Sequence, residues 1–210
     1  MSLIRIKLNP AISPAANAQK YYKDYQKAKN AEHILTEQIE KGRSELEYID
    51  SVLDTVSRAE SERELAQIRE ELTEQGYLRK QKGKQRPQAA LPPLEFTSSD
   101  GFKILVGRNN TQNDKLTLKI ANKNDMWLHT KDIHGSHTVV FAEGREISDT
   151  AILEAAQLAA YYSKARESSQ VPVDYTLVRY VSKPSGARPG MVIYVNNKTV
   201  YVTPKANISE

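Results

Sequence analysis

Cysteine is absent from the 210 residues, which removes disulfides, thiolate nucleophiles and cysteine-ligated zinc and fits a reducing compartment. No apolar run approaches the ~20 residues that a membrane-spanning helix requires, and the opening Met1-Ser-Leu-Ile-Arg-Ile-Lys7 has no apolar core of a secretory signal. We therefore expect a soluble, cytoplasmic protein without membrane association. The abrupt run into Leu8-Asn-Pro-Ala-Ile-Ser-Pro14 reads as a piece of a longer chain. Tryptophan occurs once, within the Asp125 to His137 stretch. A mean hydropathy of −0.61 is polar for one compact globule and points to an elongated part.

An excess of one charge is also missing overall, since the net charge is +4, yet the charges are segregated. Residues 1–31 carry six Lys/Arg against one acid and 32–74 carry five against thirteen. Residues 75–95 carry five against one, and 96–210 fourteen against eleven. Two basic segments thus flank an acidic one.

Ser13-Pro14 reads as a helix start, serine capping and proline at the first helical position. Alternating steps of four and three from Tyr21 reach Tyr25, Ala28, Glu32, Leu35, Ile39, Gly42, Leu46, Ile49, Leu53 and Val56, and eight of these ten are apolar. That is a coiled-coil seam, with Glu32 and Gly42 as its weak points. The register breaks over Ser57-Arg-Ala-Glu-Ser61, resumes at Leu65, Ile68 and Leu72, and meets a capping glycine at Gly76. A narrow stripe does not stabilise an isolated helix, so the second helix is expected to fold back antiparallel on the first, the return being the shorter. Such a hairpin would bring Lys20 to Lys29 and Arg79 to Arg86 to its base. Pro87 and Leu91-Pro-Pro-Leu94 close a basic linker.

From Glu95 the pattern changes to short β-like runs at 102–106, 126–129, 138–141, 175–181, 191–195 and 199–203, the last two joined by an Asn196-Asn-Lys turn. Helices are expected over 113–121 and 148–166, the second with a small-residue face of Ile152, Ala155, Ala156, Leu158, Ala159 and Tyr162. The fold class is α+β: a long antiparallel coiled-coil arm (1–76), a basic, proline-bearing linker (77–94), and a compact α+β domain (95–210) with a mixed or antiparallel sheet.

Asp125 to His137, DMWLHTKDIHGSH, holds three of the four histidines and the only tryptophan. The spacing of His129, His134 and His137 does not match ligation from one helix face, so no metal is expected. Ser136 and His137 are sequence neighbours on extended chain and point apart, and no G-x-S-x-G elbow exists, so hydrolase chemistry is not expected. Gly135-Ser136 reads as a turn, with His129 and His137 bonding backbone and Trp127 in the core, although a stacking role for Trp127 stays open. The flanking stretches Val106 to Asp114 and Val181 to Gly190 are glycine-bearing loops that present Arg, Lys and Asn, residues able to grip phosphates and base edges.

The set GRNNTQND, DMWLHTKDIHGSH, AAQLAAYYSKAR and VSKPSGARPG resembles the RNA-binding NFACT-R domain. LNPAISPAANAQKYYKDYQKAK followed by EELTEQGYL resembles the coiled-coil segment before it in the same family, the bacterial RqcH-type ribosome quality control factors, historically labelled fibronectin- or fibrinogen-binding proteins. His134 departs from the family's usual proline. The resemblance implies the RNA-binding, ribosome-docking part of a factor that recognises obstructed large ribosomal subunits and promotes untemplated alanine tailing of stalled chains with tRNA. It implies no catalytic residue, no enzyme activity of its own and no cofactor. Partners would be the large subunit with tRNA or rRNA, and a basic ribosomal protein at the acidic arm. The alternative is a cell-surface fibronectin- or fibrinogen-binding adhesin fragment. The RNA contacts expected are Arg108, Asn109, Asn110 and Asn113 on one loop, His129, Ser136 and His137 beside it, and Lys183 and Arg188 on the opposite rim.

Overall fold

The computed structural model describes residues 4–79 and 90–206. They form two compact units, residues 1–46 and residues 47–210, whereas the sequence reading drew its boundaries at 76/77 and 94/95. Helix α1, Pro14–Arg58, contributes to both units.

In the first unit the chain enters α1 as expected: Ser13 Oγ accepts the Ala16 N–H at 3.2 Å. Asn17 locks the entry. Its buried side-chain amide accepts the Asn9 N–H at 2.8 Å and donates to the Asn9, Ile12 and Ser13 carbonyls at 3.0, 3.3 and 3.2 Å. Tyr21, Tyr25, Leu35, Ile39 and Leu46, all on the expected seam, are exposed.

In the second unit, α1 stops at Arg58 and α2 spans Glu62–Glu74. Ser61 Oγ accepts the Glu64 N–H at 3.3 Å and the Glu64 carboxylate accepts the Glu60 N–H at 2.9 Å, a reciprocal cap. Gly76, at φ +84°, turns the chain out, with the Tyr77 N–H on the Leu72 carbonyl at 2.9 Å. Tyr48, Val52 and Ile68 form the small core between the two helices. The 13 residues of α2 span about 20 Å, so the helical pair is short, and α1 is otherwise one long helix; a long coiled coil is not seen among the described residues. Of the basic run expected at its base, Lys80 to Arg86 lies outside the described residues, as does Pro87.

Six antiparallel strands form the sheet that follows: β1 (Leu94–Thr97), β2 (Lys103–Val106), β3 (Met126–Thr130), β4 (Thr138–Val140), β5 (Val171–Leu177) and β8 (Lys198–Val202), in the order β1-β2-β4-β3-β5-β8. Alternation along these strands makes two apolar faces. Ile104, Val106, Leu128, Val140, Val171 and Val173 face helix α4 (Asp149–Tyr161), whose buried side is mostly alanine and so sits close to the sheet. Leu105, Trp127 and Val139 face the opposite layer, made by α3 (Asn110–Lys115), a π-helical turn Leu116–Ile120, and the two-stranded ribbon of β6 (Val181–Ser182) and β7 (Ile193–Tyr194).

Three expectations change. The strand expected over 175–181 is β5, a 3-10 turn Val178–Tyr180 and then β6. The last two strands are not a hairpin: β7 pairs with β6, while β8 pairs with β5. Asn196, at φ +56°, turns the chain from one sheet to the other. Strand β1 lies where the linker was expected to end, at the sheet edge, where the preceding Pro93 forfeits no ladder bond.

Candidate nucleic-acid interface

Three loops meet around the start of α3. Where β2 ends, the Gly107 N–H donates to the His137 carbonyl at 3.0 Å. A Cβ on Gly107 would stand 2.0 Å from Asn113 Oδ1, so the approach admits only glycine. Asn109 Oδ1 caps α3 by accepting the Gln112 N–H at 2.8 Å, and Asn113 Oδ1 accepts the His137 N–H at 3.1 Å. Asp114 ties in the third loop, its carboxylate accepting the Gly190 N–H at 3.0 Å and Lys183 Nζ at 2.6 Å. Lys183 also donates to the Arg188 carbonyl at 2.7 Å, closing residues 183–188 into a ring.

His137 is the hub. Its Nε2 lies 3.2 Å from the Gly190 carbonyl, which can only accept, so Nε2 carries the proton and Nδ1 accepts the Thr117 hydroxyl at 2.8 Å. Burial holds its pKa well below the usual histidine value, with the neighbouring His129 pushing the same way. Burial likewise lowers that of His129. Both rings are neutral at pH 7 and flank Trp127, His129 stacked at 5.8 Å and 12°, His137 edge-on at 5.2 Å and 86°. Trp127 is 1% exposed, so it is a core residue and presents no platform to a base. His134 lies partly exposed, its carbonyl accepting the Lys164 N–H at 2.9 Å. Among the described residues no group of three or more His, Cys, Asp or Glu could hold a metal ion.

The helical pair grips these loops from outside. Glu64 forms an ion pair with Arg108. Ser51 accepts from Asn110 at 2.9 Å, and the buried Glu71 accepts the Thr111 N–H and hydroxyl at 2.9 and 3.0 Å as well as the Tyr48 hydroxyl at 2.9 Å. Arg188 donates to Gln75 at 3.1 Å, its guanidinium 5.8 and 5.3 Å from the Tyr48 and Tyr77 rings. Arg58, held by Asp54 at 3.0 and 2.8 Å, reaches Ser136 Oγ at 3.4 Å.

All nine expected contact residues therefore converge on one region. Asn109, Asn110, Asn113, Ser136 and His137 are buried, and their polar groups are engaged by protein. Arg108, His129, Lys183 and Arg188 retain partial exposure. The sequence reading missed Ser51, Glu64, Glu71 and Gln75 as partners of the loops. The signal for two of them was Glu64 and Glu71 standing seven residues apart on one helix face.

Nearly the whole chain matches known sequences. The family model of NFACT N-terminal and middle domains matches residues 1–90, and that of the NFACT protein RNA binding domain matches residues 93–196. The chain belongs to the NFACT family. Similar NFACT proteins include the Rqc2 homolog RqcH of Bacillus subtilis (strain 168), 49% identical over 207 residues, 97% of this chain and 36% of that protein. The Rqc2 homolog RqcH of Streptococcus suis (strain 05ZYH33) is 45% identical over 202 residues, 96% of this chain and 36% of that protein. The chain thus spans about a third of the length of these relatives. A solved structure of the C-terminal part of the fibronectin/fibrinogen-binding protein from Streptococcus suis superposes with a TM-score of 0.85 at 44% identity, covering 91% of this chain and 77% of that one. The NFACT RNA-binding match opens at Pro93, beside β1, and closes at Asn196, just before β8. No helix among the described residues is long and apolar enough to cross a membrane.

Proposed function

We propose that this chain is the RNA-binding and ribosome-docking part of a cytoplasmic ribosome quality control factor, one that recognises obstructed large ribosomal subunits and promotes alanine tailing of stalled chains with tRNA. The observation that carries the reading is the RNA-binding family match over 93–196 in a chain 49% identical to an RqcH protein. Peptide-bond chemistry belongs to the ribosome in this reading, so the chain binds and orients and has no catalytic group. Arg108, His129, Lys183 and Arg188 contact phosphate or ribose, while Asn109, Asn110, Asn113, Ser136 and His137 hold the loops that present them. The exposed acids of α2, Glu70 and Glu74, suit a basic ribosomal protein.

Co-sedimentation with purified large ribosomal subunits at about 50 and about 200 mM salt tests the reading. Association that weakens steeply with salt supports it. Failure to co-sediment at the lower salt, together with binding to immobilised fibronectin or fibrinogen, would replace it with the adhesin reading.

A further inference from the structure

Most cations of the α3 face are already committed, Arg108 to Glu64 and Lys183 to Asp114. A neighbouring group is not. Lys115 ends α3 and Lys119 lies one turn on in the π-helical turn, and both are exposed. Lys123 follows in the next turn, where its carbonyl accepts the Arg179 N–H at 3.3 Å, which places Arg179 beside it. Among the described residues the Arg179 side chain bonds the neutral amide of Asn124 alone, and its guanidinium lies 5.9 Å from the half-exposed Tyr180 ring. Among the described residues none of these four cations forms an ion pair with a carboxylate. The nearby Asp125, which would otherwise neutralise them, is buried with its carboxylate on the Asn122 and Ala142 N–H groups at 2.7 and 2.9 Å.

We infer that Lys115, Lys119, Lys123 and Arg179, with Tyr180 at their edge, form the phosphate-tracking surface through which this domain holds RNA. The inference rests on the RNA-binding reading above and extends its phosphate contacts from the loop rim onto the π-helical turn. Four unpaired cations along consecutive turns can follow a nucleic-acid backbone, and an aromatic ring beside arginine accepts an unstacked base. Buried Leu116 and Thr117 anchor the π turn from below, and Thr117 is the hydroxyl that holds His137, so the surface is fixed to the hub of the three loops. An acidic protein is the competing partner for such a patch.

The test measures binding of the 210-residue chain to a fluorescein-labelled tRNA transcript across a salt series, using the wild type, a Lys115→Gln/Lys119→Gln/Lys123→Gln/Arg179→Gln variant, and a Lys198→Gln/Lys205→Gln control. The quadruple variant should lose at least about tenfold in affinity at low salt and flatten the salt slope by about three, close to one per phosphate contact removed. The control should keep the wild-type slope. Because each glutamine sits at an exposed position, thermal unfolding should show the variant folded; a parallel Lys119→Glu/Lys123→Glu variant gives the same readout should it not be. Wild-type binding with an unchanged slope in a folded variant overturns this surface and leaves the RNA reading standing. A wild-type chain that does not bind the transcript overturns this surface, and one that also fails to co-sediment with large subunits at low salt overturns the RNA-binding reading with it. Displacement of the transcript by polyglutamate as effectively as by unlabelled tRNA overturns RNA in favour of an acidic protein.

Discussion

Gly107 and Gly190 set how closely the three loops approach. A Cβ at Gly107 would overlap Asn113 Oδ1 at 2.0 Å, and that oxygen already holds the His137 N–H, so Gly107→Ala should destabilise the protein by about 2–3 kcal/mol in urea unfolding. Gly144, at φ +81° with nothing within 4 Å, faces only backbone strain, and Gly144→Ala should cost about 1 kcal/mol. Equal losses at the two sites would mean the close approach carries no energetic weight. His137 supplies a second prediction. Its folded pKa lies well below the usual value because of burial, so below about pH 6.5 the unfolded chain takes up a proton that the folded ring refuses. Stability is therefore complete above that pH and falls below it, by up to about 1.4 kcal/mol per pH unit for this one group. Thermal unfolding from pH 7.5 to 5 should show the fall, and His137→Gln should reduce its steepness.

Helix α2 works as a clasp, with Glu64 and Glu71 facing inward on the loops. Glu71 accepts three hydrogen bonds on two oxygens, and Glu71→Gln places an amide donor against the Tyr48 or Thr111 donors. The loss should be about 1–3 kcal/mol, with faster hydrogen exchange at the Thr111 amide, whereas exposed Glu70→Gln should stay within about 0.5 kcal/mol. Indistinguishable variants would deny the clasp. How much of this was legible in sequence follows from the range of each interaction. The Ser13-Pro14 start, the Gly76 stop and the alternating strands depend on neighbours within a turn or a few residues, and they could be read. The docking of α2 on the loops could not, because Glu71 and Thr111 are forty residues apart and a carboxylate on a helix face looks the same whether it meets water or an amide. The heptad seam from Tyr21 was legible as a pattern but does not name what it packs on. Asn196 was legible as a turn, but the strand that receives the chain after it is chosen by the β5 edge. The nine expected contacts are all polar, and polarity marks both an RNA contact and a buried hydrogen-bond network; only burial separates the two.

Taken as a whole, the molecule has little net charge to attract RNA from a distance. Residues 47–210 hold 22 Lys/Arg against 21 Asp/Glu, and residues 1–46 hold eight against five. Attraction must then come from local groups within about a Debye length, ~10 Å at 0.1 M salt, and the question is which unit holds them. The second unit has its own sheet core, and the Tyr48–Val52–Ile68 cluster closes its helical edge, so residues 47–210 should fold without residues 1–46. We expect that shortened chain to unfold cooperatively within a few degrees of the full chain, since none of its buried core residues is removed. Its tRNA affinity should fall by no more than a few-fold and its salt slope should match that of the full chain, because the unpaired cations of the π-helical turn are retained. A folded 47–210 chain that loses the slope would assign the phosphate contacts to Lys20, Lys23, Lys27 and Lys29 of α1 instead.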